Sequence, residues 1–211
     1  MRILFISDIH GRRAGFRDLP DAEAIVLGGD LTDFGEPAEV GELIDLLRTH
    51  TDTVLAVLGN CDPPEAEVEL QTREADLNLR WRIASGLCFV GRSGADSAWG
   101  AEGVPEELAA QVSRTACEGT VSSLPVVLVS HAAPQGSGAD RLPNGRYAGS
   151  PAMAQLAAAI KPVLVLCGHI HEARGVYEWQ GATVVNPGPF RQGHYALVDV
   201  TPGQRPTVRL D

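Results

Sequence analysis

Five stretches of this chain are unbroken apolar runs of strand length, and each stops on residues able to hold a metal ion. Residues 3–6 run into Asp8-Ile-His10, and residues 24–27 into Gly28-Gly29-Asp30-Leu-Thr-Asp33. Residues 53–58 run into Gly59-Asn60-Cys61-Asp62, residues 125–130 into His131, and residues 163–167 into Gly168-His169-Ile-His171. A strand that is apolar on both faces belongs to a parallel sheet covered on both sides. In open α/β sheets, ligands bind at the carboxyl ends of the strands. Any one of these polar residues is an ordinary strand-end group; seven of them on one edge is a site. In extended chain, His169 and His171 project from one face while Ile170 points back into packing, so the last run is expected to deliver two imidazoles together.

The connecting segments agree with an α/β chain. Residues 36–50 place Val40, Leu43, Ile44 and Leu47 at helical spacing behind Pro37, which makes a crossover helix and implies parallel strands around it. Residues 105–117 read as a second helix, and Ser150-Pro151 opens a third that Pro162 ends. Residues 65–79 are acidic and weakly patterned, residues 81–91 hold one or two short strands, and a glycine-rich surface loop follows to residue 103. The loop 132–149 is long enough to be a functional lid. Towards the end, 175–179 and 182–185 form a hairpin about Gln180-Gly181. Two more strands follow at 195–200 and 207–210, with antiparallel pairing favoured by closeness in sequence.

The 211 residues are 44% hydrophobic and 21% charged, which fits one domain spanning 1–211. A formal charge of −10 argues against a protein that grips duplex nucleic acid, because that requires clustered Lys and Arg. The four cysteines show no Cys-x-x-Cys spacing and no run reaches membrane-spanning length, so a cytoplasmic protein without membrane association is expected.

Three Asp/Asn oxygens and four imidazoles, without a thiolate set, suit Mn, Fe, Co, Ni or Zn. Seven ligands exceed one ion, so the pattern calls for two divalent ions sharing a carboxylate, with positions left for water and substrate.

Taken as an ordered set, Asp8-x-His10, Gly29-Asp30-x-x-Asp33, Gly59-Asn60-x-Asp62, His131 and Gly168-His169-x-His171 resemble the calcineurin-like metallophosphoesterases. The later Asn186-Pro187-Gly188 resembles the small bacterial and archaeal phosphodiesterase-like branch. The resemblance implies an α/β fold of two mixed β-sheets sandwiched between helices in four layers, and hydrolysis of a small phosphoester. It implies that Asp8, His10 and His171 hold one ion, Asn60, His131 and His169 the other, and Asp30 both, with manganese favoured. A hydroxide shared between the ions would attack phosphorus. The commonest pattern has a histidine after the asparagine. Here Cys61 stands there, a weak neutral donor, which leaves Asp33 without the ring it would orient and favours a phosphodiesterase. Phosphomonoesterase, DNA-end nuclease and non-catalytic scaffold remain alternatives. Arg12, after the first motif, and Arg146, in the long loop, are the candidate substrate contacts.

Overall fold

The computed structural model describes residues 1–95 and 124–211. The helix expected at 105–117, and the glycine-rich stretch from residue 96, lie outside the described residues.

The first sheet contains β1 (Arg2–Ile6), β2 (Ala24–Gly28), β3 (Val54–Val57), β10 (Ala196–Asp199) and β11 (Thr207–Leu210), in the order β11-β10-β1-β2-β3. The second contains β4 (Trp81–Ala84), β5 (Leu87–Arg92), β6 (Val126–Ser130), β7 (Leu164–Leu166), β8 (Gly175–Trp179) and β9 (Ala182–Asn186), in the order β4-β5-β6-β7-β9-β8. The pairs β1/β2, β2/β3, β5/β6, β6/β7 and β7/β9 are parallel, and antiparallel pairing closes every edge but the one formed by β3.

Each central strand is apolar throughout because it feeds two cores. In β1, Ile3 and Phe5 enter the core between the sheets, whereas Leu4 and Ile6 enter the core under α1 (Pro37–Leu47) and α2 (Glu67–Thr72). In β6 and β7, Val127, Val129, Leu164 and Leu166 face the other sheet, and Leu128 and Val165 face α3 (Pro151–Ile160). The layers are therefore helix, sheet, sheet, helix. Among the described residues no helix is long and apolar enough to cross a membrane.

The helix ends follow their capping chemistry. Glu36 and Glu39 form a reciprocal capping box ahead of α1, and Ser150 accepts from the Met153 N–H at 3.1 Å ahead of α3. The helix α2 falls in the acidic segment whose pattern suggests no element; only Leu70 of its six residues is buried, so it carries no apolar period to read. The late strands do not simply pair with their neighbours. The hairpin β8/β9 and the pair β10/β11 are antiparallel as expected, but β9 joins β7 in parallel and β10 crosses to the first sheet beside β1.

Candidate metal centre

Asp8 follows β1, Asp30 follows β2 and Asn60 follows β3, all in the first sheet; His131 follows β6 and the 169–171 segment follows β7, in the second. The carboxyl ends of both sheets open on the same side, and the seven residues meet at that seam. The two post-strand loops of the first sheet are stitched together by backbone bonds: the Asp8, His10 and Gly11 N–H groups donate to the Gly29, Asp30 and Leu31 carbonyls at 3.0, 2.9 and 3.1 Å. Buried Asp62 fastens the third loop, accepting from the N–H groups of Gly59, Leu31 and Thr32 and from the Thr32 hydroxyl. Burial raises its carboxyl pKa against the pull of those backbone donors.

The expectation of an extended His-x-His is corrected. The strand β7 ends at Leu166, His169 has a left-handed backbone (φ 68°), and His171 begins a 3-10 turn, His171–Ala173. The two rings consequently diverge. The His169 ring lies 5.0 Å from that of His131 and the His171 ring 5.6 Å from that of His10, both edge-on. Buried Asn186 holds this bend by donating to the Ile170 carbonyl at 2.8 Å, while its own Oδ1 accepts from the Gly188 N–H.

Around Asp8, the His171 Nε2 stands 3.1 Å from Oδ1, and the His169 N–H approaches both carboxylate oxygens at 3.3 and 3.2 Å. Burial works against the Asp8 charge, but the His171 hydrogen bond and the His131 charge keep its pKa below the usual carboxylate range. Around Asp30, Oδ1 accepts from the Cys61 N–H at 2.8 Å and lies 3.4 Å from His131 Nε2, while Oδ2 lies 3.8 Å from His10 Nε2. His131 Nδ1 contacts the Gly28 carbonyl at 2.8 Å, which leaves Nε2 facing both Asp30 Oδ1 and Asn60 Oδ1, the latter at 3.1 Å. Burial alone would lower the His131 pKa, yet the Asp30 hydrogen bond and charge lift it to about 9. Asp30 is held correspondingly low, against its burial. The pKa of His169, half-buried beside His131, is pushed down by desolvation and by the His131 charge.

This donor set fits a cation. Two oxygen acceptors converge on one imidazole nitrogen, so either a proton or a metal ion belongs between them. Both ring nitrogens of His10 are buried without any hydrogen-bond partner, a cost a native protein accepts where another ligand completes the site. Three sets, Asp8/His10/His171, His10/Asp30/Cys61 and Asp8/Asp30/His131, each bring one donor atom per residue within 4.8 Å of the others.

Glycines next to the cluster make it possible. A Cβ on Gly59 would overlap the Asp30 carboxylate, one on Gly168 would stand 2.5 Å from Asp8 Oδ2, and one on Gly29 would stand 2.7 Å from His131 Nδ1. We predict that Gly59→Ala displaces Asp30, lowers stability by about 1–3 kcal/mol and reduces bound metal, as overpacking does. Thermal melts and elemental analysis check this; a parental melting temperature with full metal content would contradict it.

Among the other expected site residues, Asp33 stands with Oδ1 3.6 Å from His10 Nδ1, its side chain exposed, so it pairs with a cluster histidine instead of waiting on residue 61. Cys61 is buried and its thiol pKa is raised to about 12 by burial and the Asp30 charge; its Sγ accepts from Asn60 Nδ2 at 3.4 Å. Arg146 is not brought to the cluster: it is exposed, and its hydrogen bonds run through its backbone, to Asn144 Oδ1 and from Leu142. The long loop is tied down by fully buried Asp140, which accepts from the Gly136 and Gly138 N–H groups. Arg12 contacts the Arg191 carbonyl, and the Arg191 Nη2 lies 3.4 Å from His171 Nδ1. Arg191 gives no signal in sequence, because it reaches the site only through the crossing from the second sheet to the first.

The comparisons with known proteins bear on the family and the fold. The uncharacterized protein MJ1162 of Methanocaldococcus jannaschii is 31% identical over 196 residues, spanning 90% of this chain and 88% of that protein. The structure of TT1561 from Thermus thermophilus superposes with a TM-score of 0.75 at 21% identity, over 100% of this chain and 97% of that one. Phosphopantetheinyl hydrolase from Mycobacterium tuberculosis does so with a TM-score of 0.60 at 17% identity, over 90% and 91%. The two superpositions speak for the fold alone. The sequence model of the calcineurin-like phosphoesterases matches residues 1–173, and the chain belongs to that family.

Proposed function

We propose that this protein is a phosphodiesterase that works with two divalent metal ions, manganese favoured. Asp8, His10 and His171 form one ligand set, Asn60, His131 and His169 the other, and Asp30 serves both. The observation that carries this reading is the placement of Asp30, whose two oxygens face His131 and His10 on opposite sides of one carboxylate. Bound there, the ions would supply Lewis-acid stabilisation of phosphate charge and a water made nucleophilic at neutral pH.

The chain's own residues do the rest. The His169 N–H aims the Asp8 carboxylate, Asp33 orients the His10 ring, and the Gly28 carbonyl selects the His131 tautomer with Nε2 free for a ligand, the arrangement by which outer groups tune a metal site. Asn60 turns its Nδ2 to Cys61 and so presents Oδ1 to the cluster. Cys61 offers no acidic proton near neutral pH, which supports a substrate whose leaving group departs unassisted. The strands β8 to β11, beyond the matched stretch, complete both sheets, which supports reading 1–211 as one domain. The three described cysteines are free and buried, which supports a reducing, cytoplasmic setting.

The test is elemental analysis of the purified protein joined to a hydrolysis panel: aryl diester, aryl monoester, cyclic nucleotide and duplex DNA ends, with added manganese. Two ions per chain and fastest turnover of the aryl diester are expected. Faster monoester turnover would replace the reading with a phosphomonoesterase, cleavage of DNA ends alone with a nuclease, and neither ions nor turnover with a scaffold.

A further inference from the structure

We propose that Arg191 is the cation that holds the substrate's phosphate beside the metal ligands, and that Arg12 is its positioning residue. This rests on the phosphoesterase reading above.

Arg191 lies in the 3-10 turn Phe190–Gln192, and the turn is fastened to the strand that delivers the first ligands. The Phe190 N–H donates to the Ser7 carbonyl at 2.9 Å and the Arg191 N–H to the Asp8 carbonyl at 3.3 Å. The buried Phe190 ring stacks on Phe16 with centroids 4.7 Å apart. The backbone of residue 191 is therefore as well placed as Asp8 itself, while its side chain is exposed at the rim. Its Nη2 reaches His171 Nδ1, and Arg12 Nη1 donates to the Arg191 carbonyl at 2.6 Å.

Neither guanidinium has a carboxylate partner among the described residues. Of the other described arginines, Arg2, Arg13, Arg73, Arg80, Arg205 and Arg209 pair with acids, whereas Arg17, Arg48, Arg141 and Arg146 do not; what sets Arg191 apart from these is its place at the cluster, with Nη2 3.4 Å from His171 Nδ1. Two neighbouring arginines without a carboxylate, one of them against a cluster histidine, offer positive charge to an anion from outside at this rim. Residue 61 is a neutral thiol and supplies no positive charge. The guanidinium fork matches two non-bridging phosphate oxygens, which a thiol or a lone ammonium cannot do.

The test uses manganese-loaded protein. Arg191→Ala should raise KM for the aryl diester about 10- to 100-fold, the range of charge-assisted hydrogen bonds, and weaken competitive inhibition by inorganic phosphate by the same factor. Metal content and melting temperature should stay at parental values. Arg191→Lys should recover part of the loss, and Arg12→Ala should show a smaller effect in the same direction. Unchanged KM and unchanged phosphate inhibition in Arg191→Ala would overturn the assignment, as would equal losses in the Lys and Ala variants. Should the parental protein hydrolyse no phosphoester, the phosphoesterase reading fails by itself. Calorimetric binding of inorganic phosphate then still decides the arginine, which Arg191→Ala must weaken.

Discussion

Asp30→Asn should abolish measurable hydrolysis, a loss of about a thousandfold or more, and reduce bound metal below two ions per chain. The scale is that of deleting one preorganised charge-stabilising group. The substitution keeps the shape, so Oδ1 can still accept from the Cys61 N–H, the bond measured at 2.8 Å. What it removes is the negative charge lying between His131 and His10. An amide can offer one oxygen to one side only and presents two N–H donors to the other. Elemental analysis and the diester assay on the same sample decide the matter. Parental activity with two ions would show that Asp30 does not serve both ligand sets. Loss of activity with both ions retained would assign it to the chemistry and not to metal binding.

Cys61→His should raise turnover of poor leaving groups far more than that of nitrophenolate, by up to about 10²–10⁴-fold, the usual contribution of a general acid. The thiol, with its pKa at about 12, cannot give up a proton at neutral pH, and its neighbours Asp30, Asp62 and Asp33 all disfavour the thiolate. An imidazole at the same place meets the same carboxylates, which favour its protonated form. Asp33 is engaged with His10 at 3.6 Å and would have to be shared with the new ring. The measurement is log rate against leaving-group pKa for both proteins. A shallower slope for the histidine variant is expected; equal slopes would mean that Cys61 only packs beneath the cluster and that another group supplies the proton.

The seven cluster positions were legible because parallel strands bury both faces, which makes the apolar runs continuous and leaves the first polar residue after each run at the sheet edge. The order of layers was an expectation of the family resemblance that these motifs carry, not of the runs themselves. What escaped reading depends on contacts between distant parts of the chain. The placement of β9 beside β7 and β10 beside β1 is decided by which edge each sheet leaves open, and no local pattern encodes that. The divergence of His169 and His171 comes from the left-handed backbone at His169 and the Asn186 clamp on Ile170, neither of which alternation can foresee. Asp62 was visible as part of a motif, but its work is to join loops 31 residues apart. The helix α2 escaped because it buries a single leucine.

Four of the seven cluster residues, Asp8, His10, Asp30 and His169, hold left-handed backbones with φ between 48° and 68°. Asp and His tolerate that region better than bulky residues do, yet each such residue still costs on the order of 1 kcal/mol. Together they take up a sizeable part of the roughly 5–15 kcal/mol by which a domain of this kind stays folded. His10 illustrates the balance: its backbone sits at φ 48°, while its buried ring is held 3.8 Å from the Asp30 carboxylate, 3.6 Å from that of Asp33 and edge-on to His171. Replacing any of the four with glycine would relieve that backbone strain only by giving up the contacts its side chain makes within the cluster.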